Sequence, residues 1–191
     1  MKTTRLLIGL LGLAFVIRLG LLSLSTAIPQ LRNVAEGGDA IGYTQLSNNL
    51  LYDHAFKFQD GSTTAYRMPG YPIFLMLILS IDGNLYWVKM IQIFFDVLTI
   101  LVAYNIAFGL TANERISILA AMLVAFNPLI VISSISILPE TLALFFLNVA
   151  VLFLLKGKTR FQYGIFAAIA LGLCIYLKPT FAPLALAELL G

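Results

Sequence analysis

Charge is what this chain has least of. Asp, Glu, Lys and Arg make up 11% of the 191 residues while hydrophobic residues make up 60%, whereas a soluble domain carries about 25% charged residues. That scarcity excludes an ordinary soluble globular domain, and the mean hydropathy of +0.95 agrees with an integral membrane protein. Cysteine is nearly absent too. A single Cys174 inside an apolar run excludes an internal disulfide and a cysteine metal cluster, and reads as a buried, inert thiol. The one histidine, His54, stands beside Asp53 in a polar stretch with no second ligand at metal spacing, so it reads as a surface residue rather than a zinc ligand. The net charge of +3 does not make a polyanion site, because the basic residues are scattered and several flank apolar runs. Nucleic acid is therefore not among the expected partners. No repeat, low-complexity tract or linker divides the chain, which reads as one membrane domain over residues 1–191.

What the chain does have is a series of apolar runs. Leu6 to Ile28 is long enough for one crossing, since about 20 residues at 1.5 Å each traverse a ~30 Å hydrocarbon core. Lys2 and Arg5 place its start in the cytoplasm by the positive-inside rule. The run also resembles a secretory signal followed by Ser25-Thr26-Ala27, but Arg18 interrupts it and it resumes to Leu24, so an uncleaved first helix is expected. Arg18 itself is expected to snorkel to the outer headgroups or to touch a lipid phosphate. Tyr86 to Leu110, Ile116 to Leu138, Thr141 to Leu155 and Phe161 to Leu177 follow as further spans, about five in all. Asn127-Pro128 should kink the third. Arg115 and the group Lys156, Lys158 and Arg160 make both inner loops basic, as the same topology requires. Ala182 to Gly191 reads as the start of a sixth helix, and the sequence as the N-terminal portion of a longer chain. The expected fold is an all-α polytopic transmembrane bundle with a long helical extracytoplasmic first loop, in the inner or plasma membrane.

Ionisable groups inside a membrane are costly unless paired or wetted, so Lys89, Gln92 and Asp96, one stripe on the second span, should face neighbouring helices in structural contacts. Asn148 in the fourth span reads as an interhelical hydrogen bond. Most of the remaining charge lies between Pro29 and Pro72: Arg32, Glu36, Asp39, Asp53, His54, Lys57, Asp60 and Arg67. A polar segment that long, with its own amphipathic run from Ala40 to Leu51, is a worksite more readily than a connector. Gly37-Gly38 breaks the chain before Asp39, and Ile41, Tyr43, Leu46, Leu50 and Leu51 then recur at helical spacing. Asp39 is thus at or near a helix N-terminus, where it serves either as an N-cap or as a chemical group. Asp60-Gly61-Ser62-Thr63-Thr64 is a turn-rich connector. The short run Ile73 to Ile81 reads as an interfacial or re-entrant helix.

Topology brings Asp39 with Tyr43, Arg67, Glu140 and Lys178 to one membrane face. Cations there would neutralise a phosphate, and a carboxylate could take a proton from an attacking hydroxyl. Tyr43 and Tyr71 would stack on a sugar or sit at the headgroup level, with the headgroup belt the expectation for Tyr71. In Gly38-Asp39 with Tyr43, Asn49-Leu50-Leu51, Tyr66-Arg67-Met68-Pro69-Gly70-Tyr71-Pro72, Asn127-Pro128, Leu138-Pro139-Glu140-Thr141 and Leu177-Lys178-Pro179-Thr180, the chain resembles the membrane-embedded C-type glycosyltransferases, the superfamily holding protein O-mannosyltransferases and aminoarabinose transferases.

The resemblance implies an inverting transfer from a polyprenyl-phosphate-linked sugar donor to a lipid, protein or glycan acceptor at the outer face of the cell envelope, among membrane lipids. It implies Asp39 as general base, Arg67 as the cation facing the departing phosphate, and Glu140, Lys178, Tyr43 and Tyr71 as substrate-binding residues. A divalent cation is the one cofactor it suggests, with no ligand set assigned. Many relatives carry Asp-Glu where this chain has Asp39-Ala40, which removes one carboxylate from such a site, and relatives are longer. The competing expectation is a non-catalytic membrane subunit, a remnant, or a small transporter-like bundle using the Lys89, Gln92 and Asp96 stripe as its polar path.

Overall fold

The computed structural model describes residues 2–63, 67–157 and 161–183. Tyr66, Lys158, Arg160 and nearly all of the anticipated sixth helix lie outside these. Among the described residues the chain is a helical bundle without strands, apart from one isolated antiparallel bridge between Lys57 and Thr63.

Among the described residues three helices are long and apolar enough to cross a membrane: α1 (Lys2–Ala27), α5 (Leu85–Thr111) and α8 (Glu140–Gly157). A bent pair of helices, taken together, is also long and apolar enough, as one broken span or a re-entrant loop. Helix α6 (Glu114–Ala125) and α7 (Pro128–Ile135) meet at 53° where Pro128 has no backbone N–H to continue the ladder. Asn127 makes the break stable by capping α7, its side-chain oxygen accepting from the backbone N–H groups of Leu129 at 3.0 Å and Ile130 at 3.3 Å. Helix α9 (Phe161–Leu177) has 17 residues, about 26 Å of rise, and packs along α8 as the fifth apolar rod.

The segment between α1 and α5 is helical almost throughout. The sequence expectation covered α3 (Asp39–Tyr52) and α4 (Gly70–Asp82), but α2 (Pro29–Glu36) was not anticipated. It begins with proline at its first position, where a missing N–H costs nothing. At its end, the Ala35 carbonyl accepts from the Ile137 amide at 2.8 Å, which pins α2 to the connection between α7 and α8. At 13 residues α4 is about 20 Å long, short of a full crossing. Its buried Tyr71 and Leu75 pack into the same core as Ala40 of α3, Val88 of α5, Leu142 and Ala143 of α8 and Cys174 of α9. Gly70 allows this: a Cβ there would lie 2.5 Å from the Tyr176 carbonyl oxygen, so only hydrogen lets α4 approach α9 so closely.

The polar stripe on α5 does face the bundle, and each member has its own partner. Lys89 Nζ donates to Glu36 Oε1 at 2.6 Å. Gln92 joins Tyr71 to the connection before α8, accepting from the Tyr71 hydroxyl at 2.7 Å and donating to the Ser136 carbonyl at 2.6 Å. Asp96 pairs with Arg18.

Several expectations are overturned. Arg18 neither snorkels nor meets lipid: its side chain is 0% exposed, pairs through Nε with Asp96, and donates through Nη1 to the carbonyls of Ala14 and Ala125. A partner on α5 and a carbonyl at the end of α6 hold Nε and Nη1 inside the bundle, while Nη2 is buried without a partner. Asn148 donates within its own helix, to the Leu144 carbonyl at 2.8 Å, rather than across helices. Tyr71 is fully buried, not at the headgroup level, because Gln92 satisfies its hydroxyl inside. His54 is exposed, and no cluster of three or more His, Cys, Asp or Glu occurs among the described residues.

Candidate functional site

The site is built around the break at Gly37-Gly38. Gly38 has φ of +59°, a left-handed conformation that a side chain disfavours, and it turns the chain from α2 into α3. Gly38 occupies the N-cap position, so Asp39 is the first residue of the helix and not its cap. Its carboxylate points elsewhere. Arg67 Nη2 donates to Asp39 Oδ1 at 2.7 Å and Arg67 Nη1 donates to the Asp39 main-chain carbonyl at 2.8 Å. The Asp39 side chain nonetheless stays 73% exposed, while Arg67 is only 15% exposed.

What buries Arg67 is the surface of α3. Its guanidinium lies over the Tyr43 ring at 4.5 Å from the centroid, a cation–π contact. Beneath it Gly42 leaves room, since a Cβ there would stand 2.5 Å from Nη1 and 2.8 Å from Cζ. Tyr43 meets Tyr71 edge-to-face at 5.1 Å, and Tyr71 in turn bonds Gln92. An unbroken series of contacts therefore runs from Asp39 through Arg67, Tyr43 and Tyr71 to the second long helix. Burial pushes the Tyr71 phenol well above the usual tyrosine range, and the Glu140 carboxylate adds to that shift.

Glu140, the first residue of α8, pairs with Lys178, which follows α9. Each is partly exposed, at 35% and 27% of its side chain. Asp39 with Arg67 and Glu140 with Lys178 thus form two ion pairs, and Tyr43 links the first of them to the buried Tyr71. Lys57 and Asp60 lie apart from both pairs. The Asp60 carboxylate accepts from the Ser62 hydroxyl at 2.6 Å and its amide at 2.9 Å, bonds that hold it below the ordinary aspartate range and close a turn. Asn49 holds that turn's base by donating to the Lys57 carbonyl at 2.7 Å.

Two positions escaped the sequence reading. Gly42 carries no pattern that marks it, since its function is to be absent beneath Arg67. Gln92 was read only as one of a stripe; its partnership with Tyr71 depends on how α4 meets α5. The donor set also fits a divalent cation poorly. Asp39 and Glu140 each already hold a cation, and Ala40 stands where a second carboxylate would be needed.

The model of the dolichyl-phosphate-mannose-protein mannosyltransferase family matches residues 73–190, more than half of the chain. The chain belongs to this family. It is therefore a membrane-embedded glycosyltransferase family member, of the kind that uses a polyprenyl-phosphate-linked sugar. The matched span contains Glu140 and Lys178 but starts just after Tyr71, so Asp39, Tyr43 and Arg67 rest on their geometry. The curated proteins and the solved structures contain no significant match to the chain.

Proposed function

We propose that this mannosyltransferase-family chain transfers a sugar, mannose by its family's description, from a polyprenyl phosphate to an acceptor hydroxyl, with Asp39 as general base. The observation that carries the proposal is an exposed carboxylate fixed by a largely buried arginine at one end of a membrane bundle. In this reading the acceptor oxygen attacks the anomeric carbon as its proton passes to Asp39. The bond from that carbon to the phosphate oxygen breaks, and the polyprenyl phosphate leaves with the bonding pair, inverting the configuration. Arg67 orients Asp39 and offers its remaining N–H groups to the departing phosphate. Tyr43 and Tyr71 hold Arg67 in place, and Lys178 holds Glu140. The positive-inside pattern supports a cytoplasmic N-terminus and an outward-facing α2–α4 end.

The transporter-like alternative has less support, because each member of its polar stripe is closed off by a partner: Glu36, Tyr71 with Ser136, and Arg18. The deciding experiment is transfer from a radiolabelled prenyl-phosphate mannose in membranes carrying the protein or Asp39→Asn. Removing a positioned base should lower transfer about 10²-fold or more at equal protein level. Unchanged transfer in Asp39→Asn would remove Asp39 from the mechanism.

A further inference from the structure

Beyond the base and its arginine, three side-chain polar atoms among the described residues are buried and have no partner: Arg18 Nη2, deep between α1, α5 and α6, and Glu140 Oε2 and Thr141 Oγ1, next to each other in sequence at the start of α8. Glu140 Oε1 is held by Lys178, which leaves the second oxygen of the same carboxylate unsatisfied. Thr141 is 4% exposed, at the start of α8. Both residues line a cavity of about 100 Å³ between α7 and α8, together with Leu129, Ile130, Ser133 and Leu144.

Such atoms are expensive. A buried polar group without a hydrogen bond loses its hydration with nothing in return, so at Thr141 a valine of the same shape would be the better residue for stability alone. An acceptor-only carboxylate oxygen beside a hydroxyl that can both donate and accept matches one kind of group, an aliphatic hydroxyl. Such a group donates to Oε2 and accepts from Oγ1.

We propose that Glu140 and Thr141 form a subsite that binds one non-reacting hydroxyl of the transferred sugar. The inference rests on the glycosyl-transfer reading, which places the attacking acceptor hydroxyl at Asp39. The hydroxyl at Glu140 is therefore a different one, and the donor sugar is the molecule that carries several. Lys178 is the positioning residue of this subsite: it holds Oε1 and leaves Oε2 as the carboxylate's unpaired acceptor. The subsite selects among sugars, because one lacking that hydroxyl, or carrying it in the opposite configuration, leaves the carboxylate oxygen buried and unpaired.

The test is equilibrium binding to the purified full chain in lipid nanodiscs, with a short-chain prenyl-phosphate mannose and its 2-, 3-, 4- and 6-deoxy forms as probes. Thr141→Val should weaken the parent sugar roughly tenfold. It should leave unchanged the affinity of the one deoxy form that lacks the bound hydroxyl, and Thr141→Ser should restore the parent affinity. Asp39→Asn should keep this pattern even though it abolishes transfer. Equal affinity of wild type and Thr141→Val for every probe would mean that water alone fills the cavity, and an equal loss across all deoxy forms would mean a merely structural threonine. Either result overturns the subsite while leaving the donor reading intact. A hydroxyl dependence found with acceptor alcohols and not with donors overturns it as well. If no prenyl-phosphate sugar binds the wild type at all, the donor reading and the subsite fall together.

Discussion

Arg67 grips Asp39 at two points, its backbone carbonyl and its Oδ1, at 2.8 Å and 2.7 Å, while its guanidinium lies over the Tyr43 ring at 4.5 Å from the centroid. Both bonds come from one rigid fork, so the first turn of α3 and the carboxylate it carries move as a unit. A lysine has the charge but neither the fork nor the flat face.

Arg67→Lys is therefore expected to lower sugar transfer by about 10²-fold, the scale for losing one preorganised donor. Folding should change little, because the pair is partly exposed. Transfer assays beside thermal unfolding in detergent separate the two effects. Equal loss of both would show that Arg67 is structural.

Gly42 and Gly70 make a matched comparison. A Cβ at residue 42 meets only the flexible end of Arg67, whereas at residue 70 it meets the Tyr176 backbone. Gly42→Ala should leave stability within about 1 kcal/mol of wild type, since alanine favours the helix, yet cut transfer about tenfold by displacing the guanidinium. Gly70→Ala should instead cost about 2 kcal/mol or more by prising α4 from α9. Unfolding and transfer measured on both variants test the contrast, which fails if Gly42→Ala loses more stability than Gly70→Ala.

The Arg18 and Asp96 pair is sealed inside the bundle, each under 2% exposed. Asp96→Leu or Arg18→Met alone strands a buried partner and should destabilise by about 3–5 kcal/mol. The double variant Arg18→Met with Asp96→Leu should cost less than either single change. A double-mutant cycle by denaturant unfolding in mixed micelles measures the coupling, and simple additivity of the two losses would show that the pair is not coupled.

Asn127 is the side chain that makes the bend between α6 and α7 tolerable. Asn127→Ala should cost about 1 kcal/mol, and Asn127→Ser or Asn127→Asp should recover most of it. An equal loss in all three, read by the same unfolding assay, would place the effect in something other than capping.

How much of this was legible beforehand differs by element. The long apolar runs announced α1, α5, α8 and α9, because length and hydropathy are properties of the segment itself. Asn127-Pro128 announced the bend, since proline acts locally. Helix α2 was missed because its eight residues carry little apolar signal and are anchored by a distant amide, that of Ile137. Arg18 was misread because a cation in an apolar run looks the same whether it escapes to headgroups or finds an aspartate 78 positions later.

The sequence by itself determined that this chain lives in a membrane, where its long apolar runs lie, and which ionisable residues cluster near one end, since each follows from local hydropathy and charge. Only the tertiary structure decided who pairs with whom: Asp39 with Arg67, Glu140 with Lys178, Arg18 with Asp96, and Tyr71 turned inward to Gln92. A charge buried in a bundle must find its partner across space, and the helix packing that supplies the partner is a property of the whole chain.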